Sequence, residues 1–231
     1  ESLIEVPEGC SFDDMVNLKG KTNIGEQMNI KLAAWEEAND LDGMFKEADF
    51  SDESKLGKGK DLVQTVSNLI GIFQSSGLNF GKNQASDDDL MGDAYEYLMK
   101  HFATESGKSK GQFYTPAEVS RVMAKVIGLN KETRPNVSIY DPTCGSASLL
   151  LRALSEASNG AALYGQEYDI TTVGLAKMNM ILHGYETYDI RSGDTLNNPQ
   201  FIKDDNLTTF SYAVANPPFS QKSWPVSYTH L

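Results

Sequence analysis

Apolar residues return every third or fourth position through the first half of the chain. Beyond residue 110, short β-branched runs alternate with such helical stretches. Ser11, with Asp14 three positions on, has the form of a helix N-cap. Ile30, Leu32, Ala34 and Trp35 predict a helix ending near Asn39 and Asp40. Leu62, Val66, Leu69, Ile70 and Phe73 predict a second, with Gly77 as its stop. Leu90, Ala94, Tyr97, Leu98 and Phe102 predict a third. The polar, glycine-containing segments 51–60 and 79–89 predict loops.

The small, charged stretch 105–111 is the candidate boundary between two parts, either as a flexible loop or as one that orders over a ligand. Directly after it Thr115, Pro116 and Glu118 have the N-cap, N1 and N3 chemistry of a helix start. Val119, Val122, Met123, Val126 and Ile127 then form an apolar stripe that predicts a core-facing helix closed by Gly128. Strands are predicted at 137–140, 161–164, 188–191 and 212–215. Helical patterns fill 147–157, and also 170–183, where Val173, Ala176, Met180 and Ile181 share one side. Strand–helix–strand repeats of this kind imply a parallel sheet with right-handed crossovers, and ligands then sit beyond the carboxyl ends of the strands.

Composition adds two constraints to this α/β expectation. The 231 residues carry 20 Lys and Arg against 32 Asp and Glu, a net charge of −12. Residues 1–110 hold 11 basic and 21 acidic groups, so the excess lies in the helical part. A chain this acidic is a poor binder of nucleic acid by itself, because neutralising phosphate takes Lys and Arg; a basic partner is expected to bring the polymer. Cys10 and Cys144 make no disulfide framework and no zinc spacing, and His101, His183 and His230 are scattered, so no metal is expected and a reducing cytoplasm fits. No run reaches the roughly 18 apolar residues of a membrane span, and no secretory signal opens the chain.

Candidate chemistry follows the strands. Asp141-Pro142-Thr143-Cys144-Gly145-Ser146-Ala147 lies after the first. It is either a plain β–α turn or a ligand loop, and its single glycine is not the dinucleotide fingerprint. Glu167, after the second strand, is either a surface carboxylate or an acceptor for ribose hydroxyls. Asp194, after the third, is either an acceptor for an exocyclic amine or a turn cap. Asn216-Pro217-Pro218-Phe219, after the fourth, is the most specific signal. Two prolines force a stiff extended turn whose carbonyls have no ladder to satisfy, Asn adds an acceptor, and Phe adds a flat face. Together these groups suit an amine on a planar ring.

These motifs, in this order, resemble those of S-adenosylmethionine-dependent methyltransferases acting on amino groups. Asn216–Phe219 is similar to the catalytic motif, 141–146 to the cofactor loop, and Gly111-Gln112-Phe113-Tyr114-Thr115-Pro116 to the segment before that loop in N6-adenine DNA methyltransferases. Gly92-Asp93-Ala94-Tyr95-Glu96-Tyr97-Leu98 resembles the modification subunits of type I restriction–modification systems. The resemblance implies a helical N-terminal domain over 1–110 and an incomplete Rossmann-like methyltransferase sheet over 111–224. Residues 225–231 depart from the family pattern and are expected to be a truncated or non-native tail. It further implies that Phe113, Tyr114, Thr115 and Pro116 border the methionine end of S-adenosylmethionine, and that Asp141, Thr143, Gly145 and Ser146 line the cofactor loop. By the same likeness Glu167 holds the ribose and Asp194 lies near the cofactor adenine. Asn216 and the Pro217 carbonyl accept from the target amine beside Pro218, and Phe219 stacks on the flipped adenine. The implied partners are DNA presented by a specificity subunit, and a restriction subunit, in a cytoplasmic hetero-oligomer. Ala147 stands where many members have a second glycine; a positive φ there costs alanine about 1 kcal/mol. A methyltransferase for glutamine amides or RNA guanine amines, and a non-catalytic assembly subunit, are the alternative expectations.

Overall fold

The computed structural model describes residues 4–41, 43–46, 48–75, 97–98, 101, 115, 117–130, 136–157 and 160–217. Gly77, Leu90, Ala94, Phe102, the loop 79–89 and the expected boundary 105–111 lie outside them. So do Phe113, Tyr114, Pro116, Pro218, Phe219 and the tail 225–231. The chain divides into two compact units, Glu1–Met91 and Gly92–Leu231.

In the first unit, α1 (Phe12–Val16) opens on the expected cap. The Ser11 hydroxyl accepts from the Asp14 N–H at 3.2 Å, and the Asp14 carboxylate accepts from the Ser11 N–H at 3.0 Å. Helices α2 (Ile24–Ala38), α3 (Glu53–Leu56) and α4 (Lys60–Phe73) follow. The helix α3 corrects the expected loop 51–60: Asp52 caps it by accepting from Ser54 N at 2.9 Å, so one turn forms despite the polar sequence. The core gathers Leu18, Ile24, Met28, Leu62, Val66 and Ile70, with Met15, Val16, Phe50, Leu56 and Val63 against it. On α4 only the i, i+4, i+8 row of Leu62, Val66 and Ile70 is buried; Leu69 and Phe73, expected on the same stripe, are exposed. Gly25 lies against the backbone of Phe50, where an added Cβ would stand 2.8 Å from the carbonyl carbon.

The second unit is an α/β layer structure. Strands β1 (Val137–Asp141), β2 (Ala161–Glu167) and β3 (Tyr188–Ser192) alternate with helices α6 (Ser148–Glu156) and α7 (Ile170–Leu182), after an initial helix α5 (Ala117–Val126). A short hairpin, β4 (Ile202–Lys203) with β5 (Asn206–Leu207), precedes β6 (Tyr212–Ala213). The sheet order is β3-β2-β1-β6, and all three pairings are parallel. Ile139, Leu163, Ile190 and Val214 join Leu149, Leu150, Ala153, Val173, Ala176 and Met180 in one core. Tyr140 and Tyr164 point to the opposite face and meet Phe201 and Phe210, with Tyr140 stacked on Phe210 at 4.5 Å between ring centres.

Two expectations are corrected here. Strand β2 runs three residues beyond its predicted end, because Ile190, Arg191 and Ser192 of β3 pair with Gly165, Gln166 and Glu167. On α5 the predicted stripe is split: Val119, Val122 and Val126 are exposed, while Ser120 and Ala124 are buried with Met123 and Ile127 beside them. Small residues face α6, so the two helices pack through Ser120 and Ala124 rather than through the valines.

Helical Gly→Ala changes ordinarily stabilise by up to about 1 kcal/mol. Gly25→Ala is expected to do the reverse, lowering stability by about 2 kcal/mol, because backbone rather than a flexible side chain occupies the space. Urea unfolding of the variant against wild type measures it.

Candidate active site

The strand order reverses at β1: β2 and β3 lie to one side of it and β6 to the other. In parallel sheets the loops on either side of such a reversal diverge, and ligands sit at the crevice beyond the strands' carboxyl ends, which makes this the side to examine. Asp141 ends β1, and Asn216 follows β6 by three residues. The sheet thus brings the first and last sequence motifs to one edge.

Asp141 is buried, and its Oδ1 accepts from Thr143 N at 2.9 Å. Burial pushes its carboxyl up to about 7; the Thr143 N–H opposes the shift and the nearby Glu167 charge adds to it. The following turn is held from three sides. Cys144 N donates to the Gln166 carbonyl at 3.0 Å, Gly145 N donates to Glu167 Oε2 at 3.1 Å, and the Ser146 carbonyl accepts from Asn179 Nδ2 at 2.8 Å. Cys144 is an inert packing residue: it is buried, its thiol is pushed well up by burial, and its Sγ occupies the space where Gly165 has no side chain.

Gly145 and Ala147 both take positive φ, 53° and 63°. The alanine is fully buried and is the N-cap of α6, without any side-chain capping bond. Its left-handed backbone costs about 1–2 kcal/mol. Its buried methyl returns about 0.8 kcal/mol, and the stiffer unfolded chain a similar amount. The two sides nearly cancel, so alanine is tolerated where glycine would be conformationally easier.

Glu167 closes β2, with Oε2 on Gly145 N and Oε1 accepting from Asp169 N at 3.0 Å. Each oxygen retains a second lone pair for a ligand hydroxyl. Asp194 stands two residues past β3 and caps its own turn. Its Oδ1 accepts from Leu196 N at 2.9 Å and Asn197 N at 3.1 Å, and its Oδ2 from Asn197 Nδ2 at 2.7 Å. The Asn197 amide beside it, followed by these N–H groups, holds its carboxyl below the usual range. The turn is tied to the β1 loop by the Thr195 hydroxyl, which donates to the Pro142 carbonyl.

Past β6, Asn216 Nδ2 donates to Thr115 Oγ1 at 3.2 Å. Thr115 is buried ahead of α5, and Asn216 is half-buried. The bond joins two residues singled out from sequence. Pro217 is exposed.

Gln166 and Asn179 were not anticipated. Both are essentially fully buried, and both hold site loops. Asn179 Oδ1 is the one buried side-chain polar atom without a partner among the described residues. The available signals were an amide inside the apolar row of Val173, Ala176 and Met180, and a neutral amide between Gly165 and Glu167. No group of three or more metal-ligating side chains occurs among the described residues. Among the same residues, no helix is long and apolar enough to cross a membrane.

A parallel sheet with its crevice at the strand-order reversal, a turn of positive-φ residues and an acidic strand end define the nucleotide-binding class of α/β proteins. Residues 86–230 match the N-6 DNA Methylase family, and the chain belongs to it. It is 36% identical over 190 residues to the type I restriction enzyme MpnII methylase subunit of Mycoplasma pneumoniae, covering 77% of this chain and 34% of that protein. It is 30% identical over 236 residues to the MjaIX methylase subunit of Methanocaldococcus jannaschii, covering 97% of this chain and 38% of that one. A crystal structure of a type I restriction–modification methyltransferase subunit from Streptococcus thermophilus superposes with a TM-score of 0.73 at 29% identity, over 94% of this chain and 46% of that one. The chain thus spans between a third and a half of the length of these relatives.

Two outcomes follow from the site. Ala147→Gly is expected to change stability by less than about 1 kcal/mol, whereas Ala147→Val, β-branched and too large, loses about 2 kcal/mol or more in thermal unfolding. The raised Asp141 carboxyl favours the protonated native state. Its stabilising contribution is complete below the ordinary aspartate value of 3.8 and is lost as pH rises towards about 7. Asp141→Asn removes this loss, so stability of the variant relative to wild type should climb between pH 4 and pH 7 in urea titrations.

Proposed function

We propose that this chain forms the cofactor-binding and catalytic part of a modification subunit that methylates the N6 amine of an adenine flipped out of DNA, using S-adenosylmethionine. The observation that carries this reading is the Asn216 amide, hydrogen-bonded to Thr115, just past the strand beside the one that Asp141 ends. Family membership supports the same reading.

The donor set fits the cofactor. Glu167 offers both carboxylate oxygens to the ribose hydroxyls, and Gly145 and Ala147 turn the loop so that backbone approaches the crevice. Glu167 sets a carboxylate beside a ligand that carries a cationic sulfur. S-adenosylmethionine, when bound, supplies a methyl group already activated by its sulfonium, so no nucleophilic side chain is required.

The remaining work belongs to the chain. The amine lone pair of adenine is delocalised into the ring. The Asn216 carbonyl oxygen and the Pro217 carbonyl accept the two N–H bonds, draw them out of the ring plane and raise the nucleophilicity of the nitrogen. Thr115 holds the Asn216 side chain in place beside the substrate. Phe219 stacks on the flipped base and offsets part of its unstacking cost of a few kcal/mol. Phe113, Tyr114 and Pro116 border the methionine end. Asp194 serves the adenine side. With a net charge of −12, the chain relies on a basic specificity subunit to hold and read DNA, in a cytoplasmic complex that can include a restriction subunit.

The full-length protein, combined with its specificity subunit and labelled S-adenosylmethionine, is expected to label DNA and not RNA or protein. Replacing the target adenine by guanine should abolish the label; labelling that survives the swap would overturn the reading. Asn216→Ala is expected to lower the rate of transfer about a hundredfold or more while leaving cofactor binding measurable by calorimetry.

A further inference from the structure

The turn Asp194–Gln200 is joined to the sheet by one wholly buried side chain. Gln166 Nε2 donates to the Asn198 carbonyl at 3.1 Å, and Gln166 Oε1 accepts from Gln200 N at 3.0 Å. The backbone carbonyl of the same residue accepts from Cys144 N at 3.0 Å. One residue therefore contacts both ligand loops, the first through its main chain and the second through its amide. Other ties to the Asp194 turn are more exposed. Arg191 Nη1 donates to the Gln200 carbonyl at 2.8 Å, and Arg191 also pairs with Asp189 and lies over Phe201.

We infer that Gln166 is a positioning residue for the cofactor: its amide sets the Asp194 turn against the Cys144–Gly145 loop, and so fixes the adenosine end of the crevice without touching the ligand. The inference rests on the methyltransferase reading, which assigns S-adenosylmethionine to this crevice. The residue must be an amide because the turn presents one carbonyl and one N–H to it. Leucine offers neither partner. A carboxylate offers only acceptors and sets a negative oxygen against the Asn198 carbonyl. A neutral carboxylic acid offers one O–H and one C=O, which restores both bonds.

This last point separates positioning from plain packing. Gln166→Glu, buried and therefore raised above the ordinary glutamate range, is neutral at about pH 5.5 and loses its proton as pH is raised towards about 9. The titratable groups on the surrounding elements are Asp141 and Cys144 on the first loop, Glu167 on β2, Asp189 and Arg191 on β3, and Asp194 on the turn. All are shared with wild type, so the variant-to-wild-type ratio at each pH isolates position 166. The full-length protein is titrated with S-adenosylmethionine, with thermal unfolding run in parallel to confirm that each sample is folded. In Gln166→Glu, binding should weaken about ten- to hundredfold at the higher pH and recover most of that at the lower. Gln166→Leu should weaken binding at both. In turnover assays the loss should appear in KM for the cofactor with kcat little changed. Gln200→Pro deletes the N–H partner from the turn side and carries the test should the leucine variant fail to fold; it too should raise KM.

Wild-type binding with an unaffected Gln166→Leu or Gln200→Pro, or a Gln166→Glu defect equal at both pH values, overturns the inference alone. A wild-type protein that binds no S-adenosylmethionine overturns the methyltransferase reading and the inference with it.

Discussion

The parallel pairing of β1 on both of its edges is the constraint on which the site depends. On one side Val137–Asp141 runs beside Ala161–Gly165; on the other, Ile139 and Tyr140 pair with Tyr212 and Ala213, and Val214 N donates to the Tyr140 carbonyl at 2.9 Å. Were β1 an edge strand, the chain after β6 would leave the sheet elsewhere, and Asn216 would not reach Thr115. The ladder needs small or branched residues in register, and it has them in Ile139, Leu163 and Ala161. Gly165 adds a second requirement. A side chain there would stand 2.6 Å from Ile190 Cδ1 and 2.8 Å from Cys144 Sγ, so the close approach of the loop to β2 depends on its absence.

Much of this architecture is legible in the residues. All four parallel strands start at the residues their apolar and aromatic runs predict, but the order does not follow from the alternation: β6 returns beside β1 after a hairpin rather than a helix. Strand ends are less legible. Gly165-Gln166-Glu167 reads as a loop in isolation, and it stays extended only because β3 supplies partners far along the chain. The valines of α5 mislead for a related reason. Periodicity marks an apolar face, but which part of that face meets a neighbour is decided by how closely α6 approaches, and Ser120 and Ala124 allow the closer contact. The hairpin at Asp204 and Asp205 rests on two consecutive left-handed residues, a turn chemistry that an Asp-Asp pair signals weakly. Buried amides are hardest to read. Gln166 and Asn179 look polar and therefore superficial, yet each satisfies backbone groups that the sheet and helices leave over.

Electrostatics divides the second unit into consequential and incidental charges. Glu156 pairs with Arg121 at 3.2 Å and Lys125 at 4.0 Å, but the basic partners are exposed, and such bridges contribute about 0–1 kcal/mol. Asp141 is different: burial raises its carboxyl and favours its neutral form, so its protonation is tied to the fold rather than to solvent.

The Thr115–Asn216 bond also sets an order of assembly. The two residues are 101 positions apart. At ribosomal rates of 5–20 residues per second, about 5–20 s separate the emergence of the hydroxyl from that of the amide. Before it closes, the nascent chain has already passed β1, β2 and β3. Asn216 therefore joins Thr115 only after the strands that carry Asp141, Glu167 and Asp194 to the carboxyl side of the sheet have been made.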